Sequence, residues 1–232
     1  MSALPLFMIV IFAIVLGGIL VLFPIAIVTS YRKAAERREG LARFAHQREW
    51  EFRADDRALV DRFTGAPFGR GSGRYATNVI IGDHDGRPFT AFDYQYASTR
   101  GESNNQHFYS VVALNLGVQA PDLSVGPTTL LSGWVDGLTG RDIEIGDPAF
   151  DAHFTVHSPA PEFAADVLLS DVREVMRHHP GEAWRITGDS LLVIRSGRHV
   201  PADIDARLHM MDALLDRVPD RVWDRLRGEQ PR

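Results

Sequence analysis

Apolar positions are distributed unevenly along this chain. Leu4 to Val28 reads LPLFMIVIFAIVLGGILVLFPIAIV and holds no charged residue. A helix crossing ~30 Å of hydrocarbon needs about 20 apolar residues, so the run predicts a transmembrane helix. A secretory signal peptide is the competing reading. It fits less well: no basic residue precedes the run, the run exceeds an apolar core of roughly 7–15 residues, and no small-residue cleavage site follows. Pro24 is placed to kink or end the helix. Ala13 and Gly17 form a small-xxx-small pair that offers a route to homo-dimerisation through the span.

After the span the pattern changes to a helical one. Residues 30–47 set Ala34, Ala35, Leu41, Ala42 and Phe44 among charges, which predicts a stalk continuing the membrane helix. The segment before the span has no Lys or Arg, whereas Arg32, Lys33, Arg37, Arg38 and Arg43 follow it. The positive-inside rule then predicts an exterior N-terminus and a cytoplasmic C-terminal domain in the cell membrane.

Strand patterns dominate from Tyr75 on. WEFRADD (50–56) follows the stalk, and its Asp55 or Asp56 caps a predicted short helix reaching Phe63. YATNVII (75–81), a GDHDG turn (82–86) and RPFTAFDYQYAS (87–98) follow. In the last, Phe92, Tyr94 and Tyr96 share one face, and Phe89, Ala91, Asp93 and Gln95 the other. A polar loop (99–106) and HFYSVVALNLG (107–117) complete an antiparallel meander. Further on, DLSVGP, RDIEIGD and HFTVH read as strands, and TTLLSGWVDGL as a short helix or turn. Residues 161–179 read as one helix and WRITGDSLLVI as a hairpin turning at Gly188–Asp189. A helix opens at Pro201, and Pro219 separates it from an amphipathic final turn.

Strands with segregated helices predict an α+β fold with a mainly antiparallel sheet. The organisation expected is an anchor (1–29), a basic juxtamembrane helix (30–49), a cytosolic α+β domain (50–226) and a tail (227–232). The domain is either single or two packed subdomains, 50–120 and 121–226.

Charge narrows the partners. The 232 residues carry a formal net charge of −5, and Lys33 is the single lysine. Residues 1–49 hold six basic and three acidic residues, and the remainder 19 basic and 27 acidic. An acidic domain argues against nucleic acid, because phosphate contacts need a basic face. The membrane bilayer, with protein partners at its inner face, is the expected environment. Absence of cysteine excludes disulfides, thiol nucleophiles and Cys-ligated metals.

Little in the sequence points to catalysis. RFTGAPFGRGSGRYATNVIIG (62–82) is glycine- and arginine-rich, but it lacks the lysine of a Walker loop and leads into a strand, so GAPFGRGSGR reads as a flexible join between a short helix and the first strand of the meander. A dinucleotide fingerprint would need a helix N-terminus there. His153 and His157, on one strand face, are ~13 Å apart, too far to share a metal ion. His178 and His179 suit a helix C-terminus. His84 in the turn and His107 at a strand start could meet across the hairpin, but no carboxylate motif accompanies them. Asp83, Asp85 and Asp93 could form a carboxylate cluster, yet GDHDG is an ordinary turn composition. No G-x-S-x-G elbow occurs. Neither a catalytic residue, a metal site nor a cofactor is expected. The one candidate anion- or ligand-binding set is Arg70, Arg74, Asp93 and Tyr94.

RFTGAPFG, GRPFTAFDYQY, FYSVVALNL, WRITGDSLLVI and DRVPDRVWD occur in this order behind one N-terminal span. Together they resemble a family of actinobacterial single-pass membrane proteins with no assigned activity. The resemblance covers roughly residues 41–226 and is most specific at AFDYQY and VPDRVWD. FTVHS before a helix is also similar to a broader bacterial domain of unknown function. The resemblance implies a single-pass topology and no site residues. The expected role is a non-enzymatic interaction module. The alternative is an anion- or lipid-headgroup-binding domain, or an enzyme, with its site near residues 65–74.

Overall fold

The computed structural model describes residues 28–100, 103–131 and 141–228, together with Leu16. The predicted span therefore lies almost wholly outside the described residues. Among those described, no helix is long and apolar enough to cross a membrane.

A helix α1 covers residues 28–47. Strand β1 (Glu51–Asp55) and a single 3-10 turn (Arg57–Val60) follow, and then the meander β2 (Ser72–His84), β3 (Arg87–Arg100) and β4 (Ser103–Pro127). Next come α2 (Thr128–Leu131), β5 (Arg141–Ile143), α3 (Pro148–Asp151), β6 (Phe154–Ser158), α4 (Pro161–Val167) and α5 (Ser170–His178). The chain closes with β7 (Trp184–Ser196), α6 (Pro201–Leu215) and α7 (Asp220–Arg227). The seven strands form one antiparallel sheet in the order β1-β2-β3-β4-β6-β5, with β7 on β4. The α+β class read from the sequence is therefore observed. Because β4 crosses residue 120 without a break, the division between 50–120 and 121–226 falls inside a strand.

Both faces of the sheet are covered, which explains the density of apolar residues in the strands. One face packs Ile80, Ala91, Val112, Leu123 and Trp184 against helices α4 to α7. The other packs Val79, Phe92, Tyr94, Val111 and Leu192 against Phe63 and Phe68 of the 61–71 loop. The period-2 reading of β3 holds: Phe92, Tyr94 and Tyr96 belong to the second cluster, and Phe89 and Ala91 to the first.

Four local expectations need correction. WEFRADD was read without a strand, yet it forms β1, an edge strand registered with Phe52 opposite Ile80. Asp56 does cap the short turn after it, accepting from the Ala58 amide at 2.9 Å. The polar 99–106 stretch is mostly strand, so the β3–β4 ladder runs on to Arg100 opposite Ser103. Trp184–Ile194 is not a hairpin but lies within one long strand. Gly188 (φ 59) and Gly117 (φ 67) absorb a register shift between β4 and β7. A Gly-Asp pair between apolar runs therefore marks a bulge here. Finally, the 161–179 helix is broken at Leu168 and Leu169, where Arg173 satisfies the freed Leu168 carbonyl at 2.6 Å.

α1 is more than a stalk. Its distal half buries Leu41, Phe44 and Ala45 against the sheet. Burial of such a Leu or Phe side chain contributes roughly 1.5–3 kcal/mol. Trp50 closes the corner, edge-on to Phe44 (5.7 Å) and Phe89 (4.7 Å). Its indole lies flat on Gly82, where an added Cβ would come within 2.4 Å of the ring.

Candidate functional site

The four residues singled out from the sequence do not form one site. Alternation along β3 puts Asp93 and Tyr94 on opposite faces of the sheet. Tyr94 is buried under the 61–71 loop, edge-on to Phe68 at 4.9 Å. Burial raises its phenol pKa, opposed by nearby Arg74 and the Gly69 backbone. Arg74 pairs with Asp61 at 2.9 Å, and Arg70 lies close enough to Tyr109 to pull its pKa down. That pull is outweighed by burial and by the hydrogen-bonded, stacked Tyr96, so the Tyr109 phenol is pushed up to about 12.

The loop itself was read as a flexible join, and the structure corrects this. It is a packed cover, pinned by a buried arginine that the sequence reading missed. Arg185 of β7 is 1% exposed and donates to the Ala66 carbonyl at 3.0 Å and the Thr64 carbonyl at 2.8 Å. Gly71 (φ 61) lies so close to β3 that an added Cβ would sit 2.2 Å from the Ala97 oxygen.

Asp93 belongs to a different cluster, under α1. Its carboxylate accepts from Arg37 (2.6 Å), from the Asn78 amide (2.9 Å) and from the His199 backbone N–H (2.8 Å). Arg37 also donates to the His199 carbonyl at 3.3 Å. His199 donates from Nε2 to the Val111 carbonyl at 3.0 Å, which fixes the neutral tautomer. Burial is the main cause that lowers its pKa to about 4, assisted by Arg207 and opposed by Asp93.

The sign of the pH effect follows. Between pH 6.5 and 4 the unfolded chain protonates this ring and the folded chain does not, so stability falls as pH falls through that window. The expected loss is on the order of 2–3 kcal/mol. A His199→Gln variant, which can still donate to Val111, should show a flatter stability slope in urea titrations between pH 6.5 and 4. An unchanged slope would assign the acid sensitivity elsewhere.

His84 and His107 do not meet across the hairpin. His84 registers with Arg87 and His107 with Tyr96, at opposite ends of β3. His107 stacks on Tyr96 at 4.7 Å and bonds Ser98 at 2.7 Å. His84 instead reaches α6, its Nε2 lying 3.0 Å from the Asp212 carboxylate. Asp85 is adjacent, and the ligand atoms of His84, Asp85 and Asp212 lie within 4.8 Å of one another, a spacing that could hold a metal ion. Arg87 already binds Asp212 and Asp216, each at 2.7 Å. That guanidinium supplies the charge compensation a cation would bring, so the group acts as an ion-pair knot tying the hairpin to α6. Asp83 is apart from it, capping the turn through the Gly86 amide at 2.8 Å.

A polar cavity opens at the end of β7, between that strand, α6 and the start of α2. It has a volume of about 510 Å³. Arg195, Arg198 and Arg207 line it, with Tyr109, Ser110 and Asp203. A smaller annex of about 100 Å³ shares Arg195, Asp203 and Arg207 and adds Glu182 and His179. Arg207 is 4% exposed, donates to Ser110 Oγ at 2.9 Å and stands 3.8 Å from the Asp203 carboxylate. Burial lowers its pKa. Arg195 faces Glu182 at 3.3 Å, and Arg198 lies over the Phe108 ring at 4.0 Å. No sequence pattern marks this cleft, because its arginines come from a strand end, a loop and a helix.

No family model and no curated protein matches the chain. Among solved structures, the fold is similar to that of the mycobacterial trehalose monomycolate transport factor A, TtfA. The TM-score is 0.56 at 16% identity, over 78% of this chain and 96% of that one. The likeness establishes a shared fold.

Proposed function

We propose that this chain is a non-enzymatic accessory protein, tethered to the cell membrane by residues 4–28, whose cytoplasmic domain engages partner proteins at the inner membrane face. The observation that carries this reading is the fold held in common with a protein described as a transport factor. The basic flank Arg32, Lys33, Arg37 and Arg38 supports the orientation. The docking of α1 adds a physical reason for a membrane-proximal role. At 1.5 Å per residue, Arg37 lies about 14 Å along the helix from Val28, so the sheet begins close to the bilayer.

The test is cross-linking in native membranes, with a photoreactive residue placed at exposed positions such as Tyr75 and Val200. One or a few discrete adducts that saturate with expression of the full chain are expected. Only diffuse, non-saturating labelling would overturn the reading. A second reading, an anion- or lipid-headgroup-binding domain, is favoured by the arginine-lined cleft.

A further inference from the structure

Beside the 61–71 loop Arg74 is held by Asp61, and the loop's apolar residues are buried against the sheet. The geometry points to a different anion site: the cleft of Arg195, Arg198 and Arg207 binds a phosphate-type anion. This deepens the second reading above and rests on it, not on the proposal of protein partners.

The argument starts from the cost of burial. A guanidinium out of water is expensive unless its five N–H donors find acceptors. Arg207 is almost fully buried, yet its one hydrogen bond among the described residues goes to a neutral hydroxyl, and Asp203 stands beyond hydrogen-bond distance. Donors are thus left over at the floor of a cavity large enough for a ligand. Arg195 and Arg198 stand on the wall, and the only carboxylates facing them among the described lining residues are Asp203 and Glu182. Three guanidiniums against two carboxylates leave the cleft positive within a domain that is acidic as a whole. The first turn of α6 borders the same space. Arginine forks match the oxygens of a phosphoryl group two at a time.

Position suggests where such a group comes from. Ser110, which holds Arg207, is the register partner of Asp93, which holds Arg37. The floor of the cleft therefore lies level with Arg37 of α1. On its wall Arg198 lies over the ring of Phe108, two residues along β4 from Ser110. A phospholipid headgroup and a free phosphate share the recognised chemistry, and only the headgroup would also use this placement.

The test uses the full chain in neutral maltoside detergent and reads the melting temperature. One arm adds inorganic phosphate; a second replaces about a tenth of the detergent with phosphatidylglycerol. The Arg195→Gln/Arg198→Gln double variant is compared because both residues line the open side and should fold normally; Arg207→Gln is a second variant. Stabilisation by phosphate, with at least tenfold weaker apparent affinity in the double variant, supports a soluble phosphate ligand. Stabilisation by phosphatidylglycerol alone, lost in the double variant, supports a headgroup. No stabilisation in either arm, or equal stabilisation of parent and variant, overturns the proposal. The last of these results would assign the effect to the basic flank of α1. None of these outcomes depends on whether protein partners are found by cross-linking.

Discussion

Replacing Asp93 with alanine is expected to lower the stability of the folded domain by about 3–5 kcal/mol, the usual cost of removing one partner from a buried charge pair. Three donors lose their acceptor at once: Arg37, the Asn78 amide and the His199 N–H. Arg37 can turn toward water, being about a fifth exposed, but Asn78 and the His199 backbone cannot. The loss should appear in urea unfolding of the detergent-solubilised chain as a lower midpoint with little change in slope. Asp93→Asn keeps an acceptor oxygen and should lose roughly half as much. Hydrogen exchange should also rise across residues 37–47, since α1 loses its polar anchor. A loss below about 1 kcal/mol for the alanine variant would mean that α1 is held by its apolar face alone.

Arg185→Ala is the second large effect. Arg185 sits between Trp184 and Ile186, both buried on the opposite face of the sheet, and holds two carbonyls of the covering loop. Burial lowers its pKa to about 10, still well above neutral pH, so the side chain remains a cation. Truncation leaves the Thr64 and Ala66 carbonyls without this donor and opens a void against Phe68, whose ring lies 5.4 Å from the guanidinium. The expected cost is about 3–5 kcal/mol, which lowers the melting temperature by about 6–20 °C. Arg185→Lys should fall between, because a single ammonium lacks the planar fork that serves both carbonyls. The covering loop should become sensitive to protease at Arg62 and Arg70 in the alanine variant before the sheet melts. Melting within about 2 °C of the parent would show that the loop is not pinned by this residue.

How much of this was legible can be judged from particular elements. The β2–β3–β4 meander was readable because alternation and the GDHDG turn are local signals. The helix at Pro201 was readable for the same reason, its start marked by proline and its apolar residues by their spacing. The Gly188–Asp189 pair was misread because a tight turn and a bulge both select a glycine with positive φ, and only the neighbouring strand distinguishes them. WEFRADD was passed over because an edge strand with polar residues on its exposed side has no strong pattern of its own.

The candidate site shows the same division. The sequence grouped Arg70, Arg74, Asp93 and Tyr94 as one candidate ligand-binding set, but adjacency along β3 means separation across the sheet. Asp93 serves α1, while Tyr94 lies under the covering loop. Arg185 and Arg207 look in sequence like ordinary members of arginine-rich segments.

What the sequence determined by itself is the α+β class, the meander, most of the helix starts and the charge asymmetry between flank and domain. Each depends on residues within a few positions of one another. The tertiary structure alone decided that the glycine-rich loop is a pinned cover, that α1 is part of the core, and that three arginines from a strand, a loop and a helix share one cleft. Those outcomes depend on which distant segments the single sheet brings together, and burial and pairing of charge are properties of that assembly.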